Sequence, residues 1–335
     1  MIASEQQLED ILSQPTEADI KAMAELQGDL LILGAAGKMG PSLAKRARRA
    51  CPRKQITAVA RFSNPQVRQD LEEAGVNTIS LDLLEPDSLA QLPAAENVLH
   101  MAARKFGSTG SEHLTWAMNV YLPALVAGRF RFSRIVAFST GNVYPLTSLA
   151  QGSPTESSQT GPVGEYAQSA LGRERMFEYF SSLYGTPVAL LRLNYAIDLR
   201  YGVLLDVGQK VFERQPVNLA MGHVNVIWQG DANSIALQSF ALCQSPPLIL
   251  NVTGPETVSI RWVARRFAER FGIEPIYEGV ESETALLSNA SRCHRIFGYP
   301  PVTVEQMIEW IAGWIGRGGT TWNKPTHFET RDGRF

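Results

Sequence analysis

The sequence predicts an α/β protein in which a doubly wound parallel sheet precedes a smaller C-terminal lobe. Short apolar runs alternate with helical patterns roughly every 20–30 residues as far as residue 199, which favours right-handed βαβ units. A glycine-rich turn follows the first of these runs, as in Rossmann-type sheets. Beyond residue 199 the apolar runs become shorter and prolines become more frequent, so we expect a second, smaller unit there.

Four segments are expected along the chain. Residues 1–28 predict a helical extension, broken at Pro15 and restarted with Thr16 as an N-cap. Residues 29–199 predict the sheet domain, residues 200–320 a smaller substrate lobe interleaved with the last sheet elements, and residues 321–335 a tail. Strands are predicted over 29–33, 55–60, 76–81, 97–101, 134–138 and 187–193. Helices are predicted over 41–50, 67–74, 86–92, 112–128 and 165–184.

Composition and charge argue against several classes of protein. The formal net charge of −2 gives no basic field for nucleic acid or for an anionic membrane surface. No apolar run approaches the ~18 residues of a membrane span, and the N-terminal acids are unlike a signal peptide. The three cysteines lack pair spacing, so we expect a reducing, cytoplasmic location. The five dispersed histidines predict no metal site.

Three glycines mark the turn after the first predicted strand. Gly34, Gly37 and Gly40 stand between this strand and a predicted helix. Such a turn lets backbone N–H groups and a helix N-terminus face the pyrophosphate of a dinucleotide. We therefore expect the three glycines, together with Lys38 and Met39, to bind a dinucleotide.

The end of the second predicted strand bears on which dinucleotide is bound. NAD-binding proteins usually place an acid there, to hold the ribose 2′-hydroxyl. The stretch 59–64 contains no acid but contains Arg61, whose guanidinium matches a 2′-phosphate. This favours NADP(H), with NAD(H) as a possible cofactor. The alternative is that Arg61 is an exposed side chain that only covers the adenine.

Further motifs follow in a fixed order. They are Asp82-Leu83, His100-Met101-Ala102-Ala103, Asn119, Phe138-Ser139-Thr140-Gly141-Asn142-Val143-Tyr144, Tyr166, Arg192-Leu193-Asn194-Tyr195 and Val226-Ile227-Trp228-Gln229-Gly230-Asp231. With the glycine turn, they resemble the extended short-chain dehydrogenase/reductase family, specifically the NAD-dependent epimerase/dehydratase group of sugar enzymes. The resemblance covers roughly residues 29–315.

The resemblance implies a cofactor, a substrate class and site residues. It implies cofactor contacts from Asp82, Leu83, Ala102, Ala103, Asn119, Tyr166 and Asn194. It assigns the acid/base role to Tyr166 and the substrate-orienting hydroxyl to Thr140. The expected activity is that of an NAD(P)-dependent oxidoreductase or epimerase, acting on a carbonyl or hydroxyl of a sugar, sugar nucleotide or related polyol. A homodimer formed through the helices at 112–128 and 165–184 is also implied.

One position departs from the family pattern. Members of the family carry a lysine four residues after the tyrosine, on the same helical face, where it holds the nicotinamide ribose and supports proton transfer. Here that position is Ala170. Arg173 and Lys105 are the candidates for a replacement cation, each with a surface charge as the alternative. Elimination after a transient oxidation, which needs a less activated tyrosine, is a further possibility.

The missing lysine also favours a second kind of function. A protein that binds NAD(P) without turnover, as a sensor or a scaffold, would not need the lysine. For the diphosphate of a nucleotide sugar, the candidate ligands are Arg192, Arg200 and Lys210, each of which is equally compatible with an ordinary surface charge. The tail contains three aromatic residues, which predicts docking on the body or on a partner subunit rather than a solvated extension.

Overall fold

The structure is a computed structural model that describes residues 2–334. Within these residues the helices are α1 (Glu5–Ser13), α2 (Glu17–Glu25), α3 (Gly40–Ala50), α4 (Pro65–Glu73), α5 (Glu112–Trp116), α6 (Leu122–Arg129), α7 (Gly164–Tyr184), α8 (Val203–Phe212), α9 (Gln229–Gln238), α10 (Ile260–Phe271), α11 (Ser291–Phe297) and α12 (Val304–Gly316). The strands are β1 (Leu30–Leu33), β2 (Ile56–Ala60), β3 (Asn77–Ser80), β4 (Asn97–His100), β5 (Arg134–Thr140), β6 (Thr147–Ser148), β7 (Val188–Leu193), β8 (Ala196–Ile197), β9 (Val217–Asn218), β10 (His223–Val224), β11 (Ile227–Trp228), β12 (Leu248–Val252), β13 (Val258–Ser259), β14 (Tyr277–Glu278) and β15 (Thr284–Ala285).

Seven of the strands in residues 2–334 form one sheet, in the order β12-β7-β5-β4-β1-β2-β3. Every neighbouring pair in it is parallel. The chain moves outward in one direction from β1 and in the other direction from β4, so the carboxyl ends of these two strands open a crevice. This confirms the predicted Rossmann-type, doubly wound sheet.

Two helices differ from the sequence prediction. The helix predicted over 86–92 is a single 3₁₀ turn, Ser88–Gln91, because the left-handed conformation of Asp87 (φ 60°) starts the turn late. The helix predicted over 112–128 runs from α5 to α6 through a π-helical segment, Ala117–Tyr121. Such a segment widens the backbone by one residue per turn and is frequent at functional sites.

Separate apolar cores lie on the two faces of the sheet and in the C-terminal lobe. Side chains of α3 and α9 pack on one face and those of α6 and α7 on the other. A further core joins α8, α10 and α12 in the lobe, and it also contains Leu8 and Leu12 of the N-terminal extension. The extension therefore ties the lobe to the sheet domain.

A buried ion pair fixes the N-terminal extension. Thr16 and Asp19 form a reciprocal capping box at the start of α2. The guanidinium of Arg46 in α3 lies 2.6 Å from Asp19 Oδ2, and Ser234 in α9 donates to Asp19 Oδ1 at 2.6 Å. Because these partners lower the pKa of Asp19 against the effect of burial, the charged carboxylate connects α2, α3 and α9.

The tail lies against the protein body. Phe328 is 2% exposed and belongs to the core of the lobe. Arg331 donates to the carbonyl of Thr284 at 2.8 Å and to the carbonyl of Ala220 at 3.1 Å. Burial of one aromatic ring and pairing of a guanidinium give this segment a stabilising role.

His100 ends β4 as a completely buried imidazole. Its ring meets Phe177 of α7 edge-on, with 5.5 Å between the centroids. Burial, followed by the positive charge of Arg173, lowers the pKa of His100 from 6.5 to about 3. The folded protein therefore keeps this side chain neutral at pH values where an unfolded chain would protonate it.

Replacing His100 by Gln is expected to reduce the loss of stability in acid. Between pH 6.5 and 3 the unfolded His100 binds a proton that the folded one does not, so stability falls as pH falls, by at most ~1.4 kcal/mol per pH unit. Urea unfolding at pH 4, 5, 6 and 7 measures the slope, with the exposed His113→Gln as the control. Equal slopes for wild type and His100→Gln would contradict the assignment.

Deleting residues 321–335 is expected to lower the melting temperature or to shift the oligomer mass. Loss of a buried phenylalanine alone costs about 3–5 kcal/mol, which corresponds to several degrees in a protein of this size. Differential scanning calorimetry and light scattering measure the two effects, with Asp332→Asn as the control. Unchanged temperature and unchanged mass would contradict a structural role of the tail.

Candidate functional site

The polar and small residues predicted to bind a ligand collect at the carboxyl edge of the sheet. The glycine turn follows β1, Arg61 follows β2, Asp82 and Leu83 follow β3, Ala102 and Ala103 follow β4, Thr140 ends β5, and Asn194 follows β7. Parallel strands present their carboxyl ends at one edge, which brings these residues together although they are far apart in sequence.

The three glycines of the turn have three different surroundings. A Cβ at Gly34, whose φ is +85°, would lie 2.5 Å from the backbone nitrogen of Ala102. A Cβ at Gly40 would lie 2.2 Å from the carbonyl oxygen of Ala35. A Cβ at Gly37 would meet only Gly34 O, at 3.4 Å, and Gly37 is exposed. Gly34 and Gly40 are thus needed for close backbone packing, whereas the exposed Gly37 lets a ligand approach the backbone of the turn.

Backbone donors at the start of α3 complete this cradle. The N–H groups of Lys38 and Met39 have no acceptor among residues 2–334, and no side chain caps the helix. Free N–H groups and the positive end of a helix dipole attract a phosphate. The residues of the turn therefore fit the pyrophosphate of a dinucleotide.

Arg61 and Asp82 lie together where β2 and β3 end. Arg61 Nη1 is 3.7 Å from Asp82 Oδ2, and the Arg61 side chain is 66% exposed. Asp82 Oδ1 also accepts the backbone N–H of Leu84 at 3.0 Å, while Leu83 is buried. The guanidinium is held loosely at the surface, free to reorient toward a ligand phosphate.

Asn119, in the π-helical segment, joins the ends of two strands to α7. Its Oδ1 accepts the backbone N–H of Arg104 at 2.9 Å, and its Nδ2 donates to the Arg104 carbonyl at 2.8 Å. Nδ2 also donates to Ser169 Oγ at 2.9 Å. Arg173 donates to Asn119 Oδ1 at 2.8 Å and to the Phe138 carbonyl at 2.9 Å. The loop after β4 is therefore hydrogen-bonded through this amide to α7.

The position of the family lysine is occupied by packing. Ala170 is 0% exposed and lies in a small apolar cluster with Val143 and Tyr144. A positive charge enters the interior one helical turn later, at Arg173, which is 3% exposed. Burial lowers the pKa of Arg173, and its attraction to Tyr166 and Glu174 opposes this effect.

Thr140 stands at the end of β5 and caps the next turn. It is 6% exposed, and its Oγ1 accepts from the backbone nitrogen of Asn142 at 3.2 Å and from Asn142 Nδ2 at 3.0 Å. Oγ1 is the acceptor in both bonds, so the hydroxyl proton can be donated to a ligand oxygen.

Tyr166 lies in the first turn of α7 and is 8% exposed. Lys105 Nζ is 5.8 Å from the centroid of the Tyr166 ring. Burial lowers the pKa of Lys105 to about 8, against the opposing effects of Asp206 and Glu329. A lysine from the loop after β4 thus brings a second cation close to the predicted acid/base.

Lys38 points from the glycine turn into the same cleft. Its Nζ lies 3.1 Å from the ring centroid of Tyr201 and 4.4 Å from that of Phe106. Burial, followed by the charges of Lys105 and Lys324, lowers the pKa of Lys38 to about 7. This lysine therefore lies between the sheet domain and the lobe, with its ammonium group against two aromatic rings.

Two of the three candidates for a diphosphate clamp are buried and paired with carboxylates. Arg192 is 2% exposed and pairs with Glu174 through two bonds, of 2.9 and 2.6 Å. Arg200 is 8% exposed and pairs with Asp198 at 2.7 Å. Both guanidinium groups are engaged by buried carboxylates, so neither is an ordinary surface charge. Lys210 is half-buried beside Asp206 and Glu213.

Three residues that no motif indicated, Tyr201, Asp206 and Phe106, lie around Lys38. Asp206 and Tyr201 of the lobe face Lys38, and Phe106 stacks on it from the sheet domain. Burial raises the pKa of Tyr195, beside Tyr166. Asn194, expected to bind the cofactor, is 2% exposed and reaches Leu286 O at 3.5 Å.

Other kinds of site find no support in the part of the chain that the structure describes. No three His, Cys, Asp or Glu side chains in residues 2–334 are grouped as metal ligands. Across the same residues, every helix is too short or too polar to cross a bilayer.

Comparison with known proteins gives a family match for half of the chain. The model of the NAD dependent epimerase/dehydratase family matches residues 30–197. No curated protein matches the chain significantly.

Solved structures of sugar-nucleotide epimerases share the fold. UDP-glucose 4-epimerase from Thermotoga maritima, solved with UDP-glucose, has a TM-score of 0.74 and 15% identity, covering 87% of this chain and 99% of that chain. A variant of UDP-glucuronic acid 4-epimerase from Bacillus cereus, in complex with a fluorinated UDP-glucuronic acid and NAD, has a TM-score of 0.73 and 16% identity, covering 86% and 99%. UDP-glucose 4-epimerase from Thermus thermophilus with NAD has a TM-score of 0.70 and 18% identity, covering 85% and 98%.

The strand order, the glycine cradle and the family match agree, and the chain belongs to the NAD-dependent epimerase/dehydratase family of extended short-chain dehydrogenases/reductases.

Proposed function

We propose that this protein is an NAD(P)-dependent oxidoreductase or epimerase that acts on a carbonyl or hydroxyl group of a sugar nucleotide. The open cradle at Gly37, on the same sheet edge as Thr140 and Tyr166, carries this proposal. Its structural neighbours, which are described as bound to UDP-sugars and NAD, support the substrate class. A nicotinamide cofactor supplies a hydride acceptor or donor at this edge when it is bound.

The residues of the chain have separate roles in this proposal. Thr140 donates its hydroxyl proton to the reacting oxygen and orients it. Tyr166 takes up or returns the proton of the substrate hydroxyl. Arg173 and Lys105 provide positive charge near Tyr166, in place of a lysine at position 170. In this proposal, these two cations together replace the family lysine.

A non-catalytic sensor or scaffold is the second candidate function. It is favoured by one specific observation, the complete burial of Ala170 at the place of the family lysine. The glycine cradle would serve both functions equally. Turnover with a bound dinucleotide therefore distinguishes the two.

A homodimer is proposed from an exposed apolar surface on α5 to α7. Five large side chains there are between 37 and 58% exposed, Trp116, Tyr121, Leu125, Tyr179 and Leu183. Grouped exposed apolar side chains of this kind are typical of a subunit interface. A cytoplasmic location stays a prediction from the cysteine content.

NADPH is expected to bind more tightly than NADH, and Arg61→Ala is expected to remove the difference. The guanidinium would form charge-assisted bonds with the 2′-phosphate, worth about tenfold or more in affinity. Isothermal titration calorimetry with both reduced cofactors measures this. Arg68→Ala, an exposed arginine on α4 paired with Glu72, is the control. Equal affinities of the wild type for both cofactors would contradict NADP selectivity.

Tyr166→Phe is expected to lower turnover by about 10²- to 10⁴-fold, the usual contribution of a general acid/base. The assay incubates the dinucleotide-loaded protein with UDP-glucose or UDP-glucuronic acid, and separates epimers by chromatography. Cofactor affinity should remain within about threefold, because the hydroxyl is only one of several contacts. Tyr179→Phe, exposed on the same helix, is the control. Wild-type turnover by Tyr166→Phe would refute the role, and a dinucleotide-loaded wild type without turnover would favour the scaffold.

A further inference from the structure

The C-terminal segment 321–334, here called the strap, crosses the cleft between the lobe and the start of α7. It has no helix or strand of its own. At its beginning, the Trp322 ring stacks on the Tyr201 ring with 6.1 Å between centroids. The backbone N–H of Trp322 donates to the backbone carbonyl of Arg200 at 3.1 Å. Tyr201 in turn lies on Lys38. The first anchor of the strap is thus next to the glycine turn.

The middle of the strap is bound on both sides of the cleft. On the lobe side, the backbone N–H and the hydroxyl of Thr326 both donate to Asp206 Oδ2, at 2.8 and 2.5 Å. On the sheet side, Lys105 Nζ lies 3.5 Å from Thr326 O, and the ring of His327 meets Phe106 at 6.4 Å. The strap therefore connects the lobe with the loop after β4.

The end of the strap lies over the start of α7. The Arg331 guanidinium donates to the backbone carbonyl of Thr284 at 2.8 Å and to the Thr284 hydroxyl at 2.5 Å. Gly333 is packed so closely on Val163 and Gly164 that a Cβ at Gly333 would lie 2.2 Å from Val163 O. Gly164 begins the helix that carries Tyr166. This anchor covers the entrance on the Tyr166 side.

Because the strap covers only one half of the cleft, the two halves differ in solvent exposure. At the adenosine end, Gly37, Arg61 and Ala103 are exposed. At the substrate end, Thr140 and Tyr166 are 6 and 8% exposed. The cavity left there, between Asn142, Tyr195 and Arg331, has a volume of about 20 Å³, far below the ~300–1,000 Å³ range for small-molecule sites. A dinucleotide can reach the adenosine end, whereas a nucleotide sugar needs the strap to move.

We propose that the strap is an intramolecular occupant of the substrate half of the cleft, and that a nucleotide sugar binds only after the strap is released. This inference rests on the proposed function. Lys105 contacts the strap directly, with its Nζ 3.5 Å from Thr326 O, and Lys38 lies against the Tyr201 ring on which Trp322 stacks. The phosphates of the substrate are the groups that compete with Thr326 O for Lys105. Only molecules with a released strap bind the substrate, so the apparent Kd equals the intrinsic Kd divided by the fraction of released molecules.

The test opens the strap at one end and measures substrate affinity. Trp322→Ala with Thr326→Ala removes the stacking on Tyr201 and the hydroxyl bond to Asp206, and leaves Phe328 in the core. Arg331→Ala opens the other end independently, in case the first variant is poorly folded. Asp332→Asn is the matched control, because the Asp332 carboxylate bonds only to Arg334 within the strap. All variants are full-length and saturated with the preferred dinucleotide.

Calorimetry with UDP-glucose and with UDP-glucuronic acid is expected to show at least tenfold tighter binding by the opened variants than by the wild type and Asp332→Asn. Hydrogen exchange of peptides from 321–334 in the wild type is expected to increase when either ligand is added, since the amides of Trp322 and Thr326 lose their acceptors. Equal affinities for all variants, or unchanged exchange on ligand binding, would overturn the strap alone. Absence of binding to every variant would overturn the nucleotide-sugar substrate and the role of the strap together, while dinucleotide binding is measured separately.

Discussion

The hydrogen bonds of Asn119 are the constraint on which the candidate site depends. One side-chain amide binds both backbone polar groups of Arg104 and is bonded to Ser169 and Arg173 of α7. Because all of these groups are buried or partly buried, each lost bond would leave an unsatisfied polar atom. The loop after β4 and the helix carrying Tyr166 are therefore held in fixed relation. The π-helical segment supplies the extra residue that lets the amide reach inward.

Positive charge in this site is distributed differently from the family pattern. With an alanine at position 170, the cations come from three places: Arg173 deeper in α7, Lys105 after β4 and Lys38 in the glycine turn. Burial lowers the pKa of Lys105 to about 8 and that of Lys38 to about 7. Their charge thus depends on pH near neutrality, and an anionic ligand would favour the protonated form of both.

Both ends of the described chain reinforce the small lobe. The N-terminal extension contributes Leu8 and Leu12 to the core of the lobe, and the tail contributes Phe328. The extension is attached to the sheet domain by the buried pair of Asp19 and Arg46, while the tail crosses the cleft. Contacts from the two ends restrict the motion of the lobe relative to the sheet, so opening of the cleft is coupled to release of the tail.

The sheet and its glycine turn were predictable from the amino-acid sequence, because both depend on local patterns. Apolar runs at strand length and glycines at fixed spacing predicted β1 to β5, β7 and the glycine turn after β1. The environment of the charged side chains depends instead on contacts between distant segments. Arg192 and Arg173 have the same sequence signal as surface arginines, yet both are buried by partners distant in the chain. The tertiary structure also decided that the tail lies across the substrate half, since such contacts join segments separated by more than a hundred residues and leave no periodic pattern.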